Sequence, residues 1–220
     1  RLAAARGLGD VYKRQIHTLL KNWDEECPLT REEAVEVLNL PEEEMDSLMG
    51  VLGLRTKYKG KKVSVQLLTN VRSGNCTQNC AYCAQSKDSQ AEIEKYKRVS
   101  DEKLYGDNDL VDEKHLARHC IGLSGIGFSD EEIEDLADRI REMKKKDTQI
   151  CCSIGFLTEK QARILKDAGL DRINHNLNSS RSFYPEICTT HTYDQRVNNI
   201  KMLQSLGSVS YTHLTLPTIL

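Results

Sequence analysis

The chain has 220 residues, of which 39% are hydrophobic and 29% charged, with a formal net charge of −2. At roughly 150 residues per domain this is one domain with a short appendage, and the near-neutral charge makes no case for nucleic acid or an anionic membrane. No apolar run approaches the ~18 residues of a membrane span and no signal-peptide pattern is present, so a cytoplasmic protein is expected.

The chain opens on a segment that does not read as native. Asp10-Val-Tyr-Lys-Arg-Gln15 can be encoded as GAT GTG TAT AAG AGA CAG. The reverse complement of that string, read in a shifted frame, encodes Val-Ser-Tyr-Thr-His, the peptide at 209–213, and its last base can open the codon of Leu214. Protein physics gives no reason for such a pair, whereas a DNA fragment flanked by inverted transposon ends does. Residues 1–15 and 208–220 are therefore expected to be translated adapter, with 16–207 native. Codons other than these would remove the idea.

Residues 16–62 read as a helical lead-in. Thr30 with Glu33 makes a capping box ahead of Ala34, Val35, Val37 and Leu38. Pro41 at a first-turn position, followed by Glu42, Glu43 and Glu44, starts a second short helix ending near Gly50 or Gly53. The basic run 57–62 is a solvated linker.

From 63 to 207 the period alternates between strand and helix. A strand at 62–70 leads into a cysteine-rich loop. The polar stretch 86–113 is hard to assign, with helical character around 91–98. A second strand falls at 116–123. Ser129 with Glu132 then caps a helix whose apolar face is Ile133, Leu136, Ala137, Ile140 and Met143. A third strand at 148–154 precedes a helix capped by Thr158 and Gln161, bearing Ala162, Ile164, Leu165 and Ala168 and stopped by Gly169. A fourth strand spans 170–177. Thr192 with Gln195 caps a last helix carrying Val197, Ile200, Leu203 and Leu206, ended by Gly207. Such repeating units require parallel strands with crossover helices, in a barrel or an open sheet. A closed eight-unit barrel takes ~250 residues. With native ends at 16 and 207, the α/β fold is the front four units of a parallel βα barrel.

Eight cysteines are too few for a disulfide scaffold, yet three fall in Cys76-Thr-Gln-Asn-Cys80-Ala-Tyr-Cys83. Three thiolates on one tight loop can hold three irons of a 4Fe–4S cubane and leave the fourth open for chemistry. Zinc and chance thiols are the competing readings. Structural zinc usually takes a fourth protein ligand, and no obvious His or Cys follows nearby.

With an aromatic before its last Cys and a strand directly ahead, this loop resembles that of the radical S-adenosylmethionine enzymes. In that superfamily the open iron chelates S-adenosylmethionine, whose reductive cleavage yields a 5′-deoxyadenosyl radical. The flanks narrow the resemblance. Asn75-Cys-Thr-Gln-Asn-Cys-Ala-Tyr-Cys-Ala-Gln-Ser86, Ala168-Gly-Leu-Asp-Arg-Ile-Asn-His-Asn-Leu-Asn-Ser179 and Thr189-Thr-His-Thr-Tyr193 are similar to the biotin synthase family. The similarity runs from about residue 30 to 207. The three-Cys loop marks only the superfamily; the Asn-rich block is more specific.

The resemblance implies a TIM-like radical barrel with a 4Fe–4S cluster on Cys76, Cys80 and Cys83 and S-adenosylmethionine on its open iron. It implies an auxiliary iron–sulfur cluster, 2Fe–2S in the family, with Cys120 and Cys151 among its ligands. Residues pointing into a barrel from neighbouring strands can meet across its interior, although buried free Cys is also a common core residue. Cys152 alternates to the opposite face, and Cys27 and Cys188 receive no role. Asn176 and Asn178 match family positions contacting dethiobiotin and the ribose, and Tyr82 matches one beside the adenine. His175 reads as a satisfied packing residue, and His115, His119 and His191 as surface or loop residues. Two departures stand out. Ser124-Gly-Ile-Gly-Phe128 replaces the Arg-Gly-Pro that often follows Ser-Gly, and the remaining auxiliary ligands of the family would fall beyond 207.

The implied activity is conversion of dethiobiotin to biotin, with electrons from a flavodoxin or ferredoxin and a homodimeric parent. Hydrogenase-cofactor maturation or methyl transfer would share the loop and barrel but need no sulfur-donor cysteines. A non-enzymatic iron–sulfur or zinc module would need no Asn block at a strand end. The 220-residue chain itself is expected to be a poor enzyme.

Overall fold

The computed structural model describes residues 30–42, 56–57, 60–207 and 209–211. The expected adapter at 1–15, Cys27 and the second lead-in helix beyond Glu42 lie outside the described residues. The chain divides into two compact units, Arg1–Val63 and Ser64–Leu220.

In the first unit, α1 (Arg31–Leu38) carries the capping box read from the sequence. Thr30 Oγ1 accepts from the Glu33 amide at 3.2 Å, and the Glu33 carboxylate accepts from the Thr30 amide at 2.7 Å. Its apolar positions are not buried: Leu38 is 81% exposed.

The second unit alternates β1 (Gln66–Arg72), α2 (Asp101–Glu113), β2 (Arg118–Leu123), α3 (Asp130–Met143), β3 (Ile150–Ser153), α4 (Glu159–Asp167) and β4 (Arg172–Asn174). After these come α5 (Tyr184–Ile187), α6 (Tyr193–Ser205) and β5 (Val209–Tyr211). The five strands lie in the order β1-β2-β3-β4-β5, every pair parallel. The front of a parallel βα barrel is the architecture present.

Strand alternation sorts the residues onto two faces. Val71, Ile121, Ile150, Cys152 and Ile173 are buried with Ile133, Leu136, Ile140 and Met143 of α3 and Ala162 and Leu165 of α4. The opposite face carries the row Leu68, Cys120, Cys151 and Arg172, in mutual register. On that face Leu68 is 63% exposed. Core and chemistry therefore occupy different sides of one sheet. Ser129, Thr158 and Thr192 each cap their helices with a full capping box, as their spacing predicts. Gly169 stops α4 at a φ of +96°, a left-handed conformation that favours glycine.

Several expectations need correction. β1 starts at Gln66 and runs on to Arg72, because β2 offers no partner earlier; the Ala117 amide to the Val65 carbonyl, at 2.8 Å, is the first rung. No helix forms at 91–98. Tyr96 there exchanges 3.0 Å backbone bonds with Ser73, and the helix begins instead after the Ser100 cap. α5 was not anticipated. Beyond the four βα units read from the sequence, Val209–Tyr211 pairs with Arg172–Asn174 as a fifth strand. His119 and His191 are buried rather than superficial.

Candidate functional site

The cysteine loop leaves β1 through Gly74 and Asn75, both at positive φ. It is tied to the neighbouring loop where Ser124 Oγ donates to the Gly74 carbonyl at 2.6 Å, and to itself where the Lys87 amide donates to the Gln78 carbonyl at 2.9 Å. Cys76, Cys80 and Cys83 all line one cavity of about 150 Å³. Its walls come from the ends of the next three strands: Ser124, Gly125 and Ile126 after β2, Gly155 and Phe156 after β3, and His175 after β4. The C-terminal ends of parallel strands are where this architecture assembles its sites.

The walls are pinned to one another. The Phe156 amide donates to the Ile126 carbonyl at 2.6 Å, which brings the β2 and β3 loops into contact. A Cβ on Gly155 would sit 2.4 Å from that carbonyl oxygen. Only glycine fits there. Three soft sulfur donors on one loop, facing a shared cavity bordered by accessible backbone, fit a cluster held by three thiolates.

Inside the sheet, Cys120 and Cys151 are register partners on the inner face and are joined as a disulfide, with Cα atoms 4.6 Å apart. The sequence reading expected two free ligating thiols. The structure keeps the adjacency and differs in the bond, since two thiols at paired positions of adjacent strands meet directly. Asn174 Nδ2 lies 3.5 Å from Cys151 Sγ, so the Asn-rich block begins beside this pair. Asn176 is half-buried one alternation further along. Exposed Asn178, at a φ of +63°, reaches back to the Tyr82 hydroxyl.

His175 is buried, as a packing residue is expected to be, with its ring centroid 5.3 Å from that of Phe156. Burial, aided by the nearby Arg196 charge, pushes its pKa down to about 4. A neutral imidazole therefore faces the cavity.

Sequence reasoning missed a further cluster. Cys188 Sγ lies 3.7 Å from Cys80 Sγ and 3.3 Å from His191 Nδ1. Arg196 Nε donates to His191 Nε2 at 3.1 Å and to the Tyr184 hydroxyl at 2.6 Å. Burial pushes the Cys80 thiol up to about 11, with Cys188 adding to the rise. For Cys188 burial acts upward too, but hydrogen bonds from Thr190 and His191 outweigh it and lower the thiol pKa. The one available signal was position: Cys188 directly precedes the Thr189-Thr-His-Thr-Tyr193 block.

Residues 70–219 match the family model of the radical SAM superfamily. Over 181 residues the chain is 40% identical to a biotin synthase of Bacillus subtilis (strain 168), covering 81% of this chain and 54% of that one. A biotin synthase of Geobacillus kaustophilus (strain HTA426) is 39% identical over the same length and coverage. The chain thus spans about half the length of the curated relatives it matches. Among solved structures, methylornithine synthase superposes with a TM-score of 0.74 at 15% identity, covering 91% of this chain and 58% of that one. The [FeFe]-hydrogenase maturase HydG gives 0.72 at 18% identity, covering 91% and 45%. At these identities the two structures speak for the fold alone.

Proposed function

The chain belongs to the radical SAM superfamily, and from that premise we propose that it is the front part of a sulfur-inserting radical enzyme that converts dethiobiotin to biotin. A bound 4Fe–4S cluster with S-adenosylmethionine would supply reductive cleavage of the sulfonium. Cys76, Cys80 and Cys83 would hold that cluster, and Gly125, Ile126 and Gly155 would offer backbone to the methionyl end. Tyr82 and Asn178 would border the adenosine, and Asn176 the substrate.

The observation that carries the reading is the Cys120–Cys151 pair on the inner face, beside the Asn-rich strand end. Once reduced to two thiols, the pair would suit an auxiliary 2Fe–2S cluster that gives up sulfide. Radical enzymes that mature a hydrogenase cofactor or transfer a methyl group have no use for a sulfur donor at that place. A reducing cytoplasm, a flavodoxin or ferredoxin donor and a homodimeric full-length form belong to the same proposal. Unactivated C–H bonds resist acid–base chemistry, so the chain's task is to position substrate and exclude water while the cofactor supplies reactivity.

The test is anaerobic reconstitution of a form extended to the relatives' full length. Iron and acid-labile sulfide are counted, and S-adenosylmethionine cleavage is followed with and without dethiobiotin. Biotin formation is the expected outcome. Cleavage that never yields a sulfur-containing product would overturn sulfur insertion while leaving the superfamily intact.

A further inference from the structure

The cysteine loop rests against a fourth thiol that the proposed function does not use. Cys80 and Cys188 are both buried, with their sulfurs 3.7 Å apart. Backbone contacts build this approach. The Ala81 amide donates to the Ile187 carbonyl at 2.9 Å. Asn79 Oδ1 accepts from the Thr189 and Thr190 amides at 3.0 and 3.2 Å, and its amide donates to Thr189 Oγ1 at 2.7 Å. The neighbours of both cysteines are thereby fixed to each other.

Cys80, Cys188 and His191 place their ligand atoms within 4.8 Å of one another, as a metal site would. The imidazole argues against a metal. Arg196 donates to Nε2, so Nδ1 carries the ring proton and directs it at Gln78 Oε1, 3.0 Å away, and at Cys188 Sγ. What remains is a pair of sulfurs in contact with each other, with Cys80 bordering the cavity.

We propose that Cys80 and Cys188 form a reversible disulfide site, closed by a peroxide in the cluster-free chain and reopened by a thiol reductant. The consequence for iron rests on Cys80 being a cluster ligand; the disulfide itself does not. A thiolate of the pair attacks the peroxide O–O bond, giving a sulfenic acid and one water. The second sulfur, already in contact, attacks the sulfenic sulfur and displaces hydroxide, which leaves as a second water after taking the remaining thiol proton. Two thiols are oxidised and one peroxide is reduced. Closing from 3.7 Å to a bond of about 2.0 Å requires less than ~2 Å of movement, within reach of side-chain rotation. With the bond closed, only Cys76 and Cys83 of the motif can bind iron.

The test takes the 220-residue chain, purified free of metal under anaerobic reducing conditions and treated with hydrogen peroxide. Residual thiols are alkylated, and fragment ions within residues 73–87 separate Cys76, Cys80 and Cys83. The expected result is Cys80–Cys188 as the main disulfide from that loop. Uptake of ferrous iron with sulfide should fall several-fold, recovering with dithiothreitol. Cys188→Ser and Cys188→Ala chains should lack the disulfide and keep uptake close to the untreated level; two variants guard against one that folds poorly. Recovery of alkylated Cys188 after Cys80 has been oxidised would overturn the proposal, as would unchanged iron uptake by chains carrying the mapped disulfide. Cluster assembly by a Cys80→Ala chain at the parent level would instead overturn the ligand reading and the gate built on it, leaving the mapped disulfide in place.

Discussion

Asn178 Nδ2 donates to the Tyr82 hydroxyl at 2.6 Å, joining the loop after β4 to the cysteine loop after β1. The two loops are 96 residues apart in sequence, so this bond helps close the rim of the site. Asn178 is also suited to its backbone, since Asn tolerates the left-handed φ of +63° better than most residues. In Tyr82→Phe the bond is lost, but both groups are exposed and water replaces it. The melting temperature should therefore move little, for a loss of under about 1 kcal/mol. Binding of S-adenosylmethionine to the reconstituted chain should weaken several-fold in isothermal titration. Unchanged affinity would remove Tyr82 and Asn178 from the adenosine site.

Gly155 and Gly106 give a matched pair of opposite expectations. A methyl group at 155 would stand 2.4 Å from the Ile126 carbonyl oxygen and break the contact between two cavity walls. Gly155→Ala should destabilise by at least about 2 kcal/mol, since the clash is with backbone. Gly106 lies inside α2 with nothing within 4 Å of the added carbon. Gly106→Ala should stabilise by about 0.5–1 kcal/mol through helix propensity. Denaturant midpoints measure both.

Local rules made the helices after β2 legible. Ser129/Glu132, Thr158/Gln161 and Thr192/Gln195 are short-range pairs, and the structure forms each as a capping box. α2 was missed for the same reason in reverse. Its buried face is only Leu104, Asn108 and Val111, with Gly106 between them, too thin a stripe to see against polar neighbours. The cysteine motif was readable from its spacing, and the Cys120–Cys151 neighbourhood from the family resemblance, with which strand order agreed. Burial of His119 and His191, and the approach of Cys188 to Cys80, depend on what folds over them. No single-residue signal carries that.

His119 has 0% exposure and sits between Thr69 Oγ1 at 2.8 Å and Asn108 Oδ1 at 3.2 Å. Burial lowers its pKa from 6.5 to about 4, although Asp107, itself bonded to Thr69 and Lys103, pulls the other way. The folded state thus prefers the neutral ring. Its contribution is fully present above pH 6.5 and is lost as pH falls from 6.5 through about 4. The loss approaches about 3 kcal/mol, since a tenfold change in proton affinity is worth ~1.4 kcal/mol. His119→Gln should flatten the stability profile across this window. An equally steep acid slope in the variant would assign it to other groups.

Cys120→Ser and Cys151→Ser should separate two activities that the proposed function combines. Both residues lie on the inner face, away from the cavity lined by Cys76, Cys80 and Cys83. In a form extended to the relatives' full length, either substitution should abolish biotin formation. S-adenosylmethionine cleavage should stay close to the parent rate. Parallel loss of both activities, with iron content unchanged, would argue that the pair serves the radical step rather than sulfur donation.

The 220-residue chain should itself turn over poorly. Parallel strands expect apolar cover on both faces, and here the helices bury one face while Leu68 on the other is 63% exposed. β1 ends the sheet order among the described residues, so one side of its backbone carries no strand. A carbon radical made at such a face would meet water before a substrate hydrogen. With the cluster reconstituted, this chain is expected to cleave S-adenosylmethionine slowly and to form no biotin. Full-length relatives assayed alongside, by mass spectrometry of the products, provide the reference. Several turnovers of biotin by the 220-residue chain would show that the open face is no obstacle.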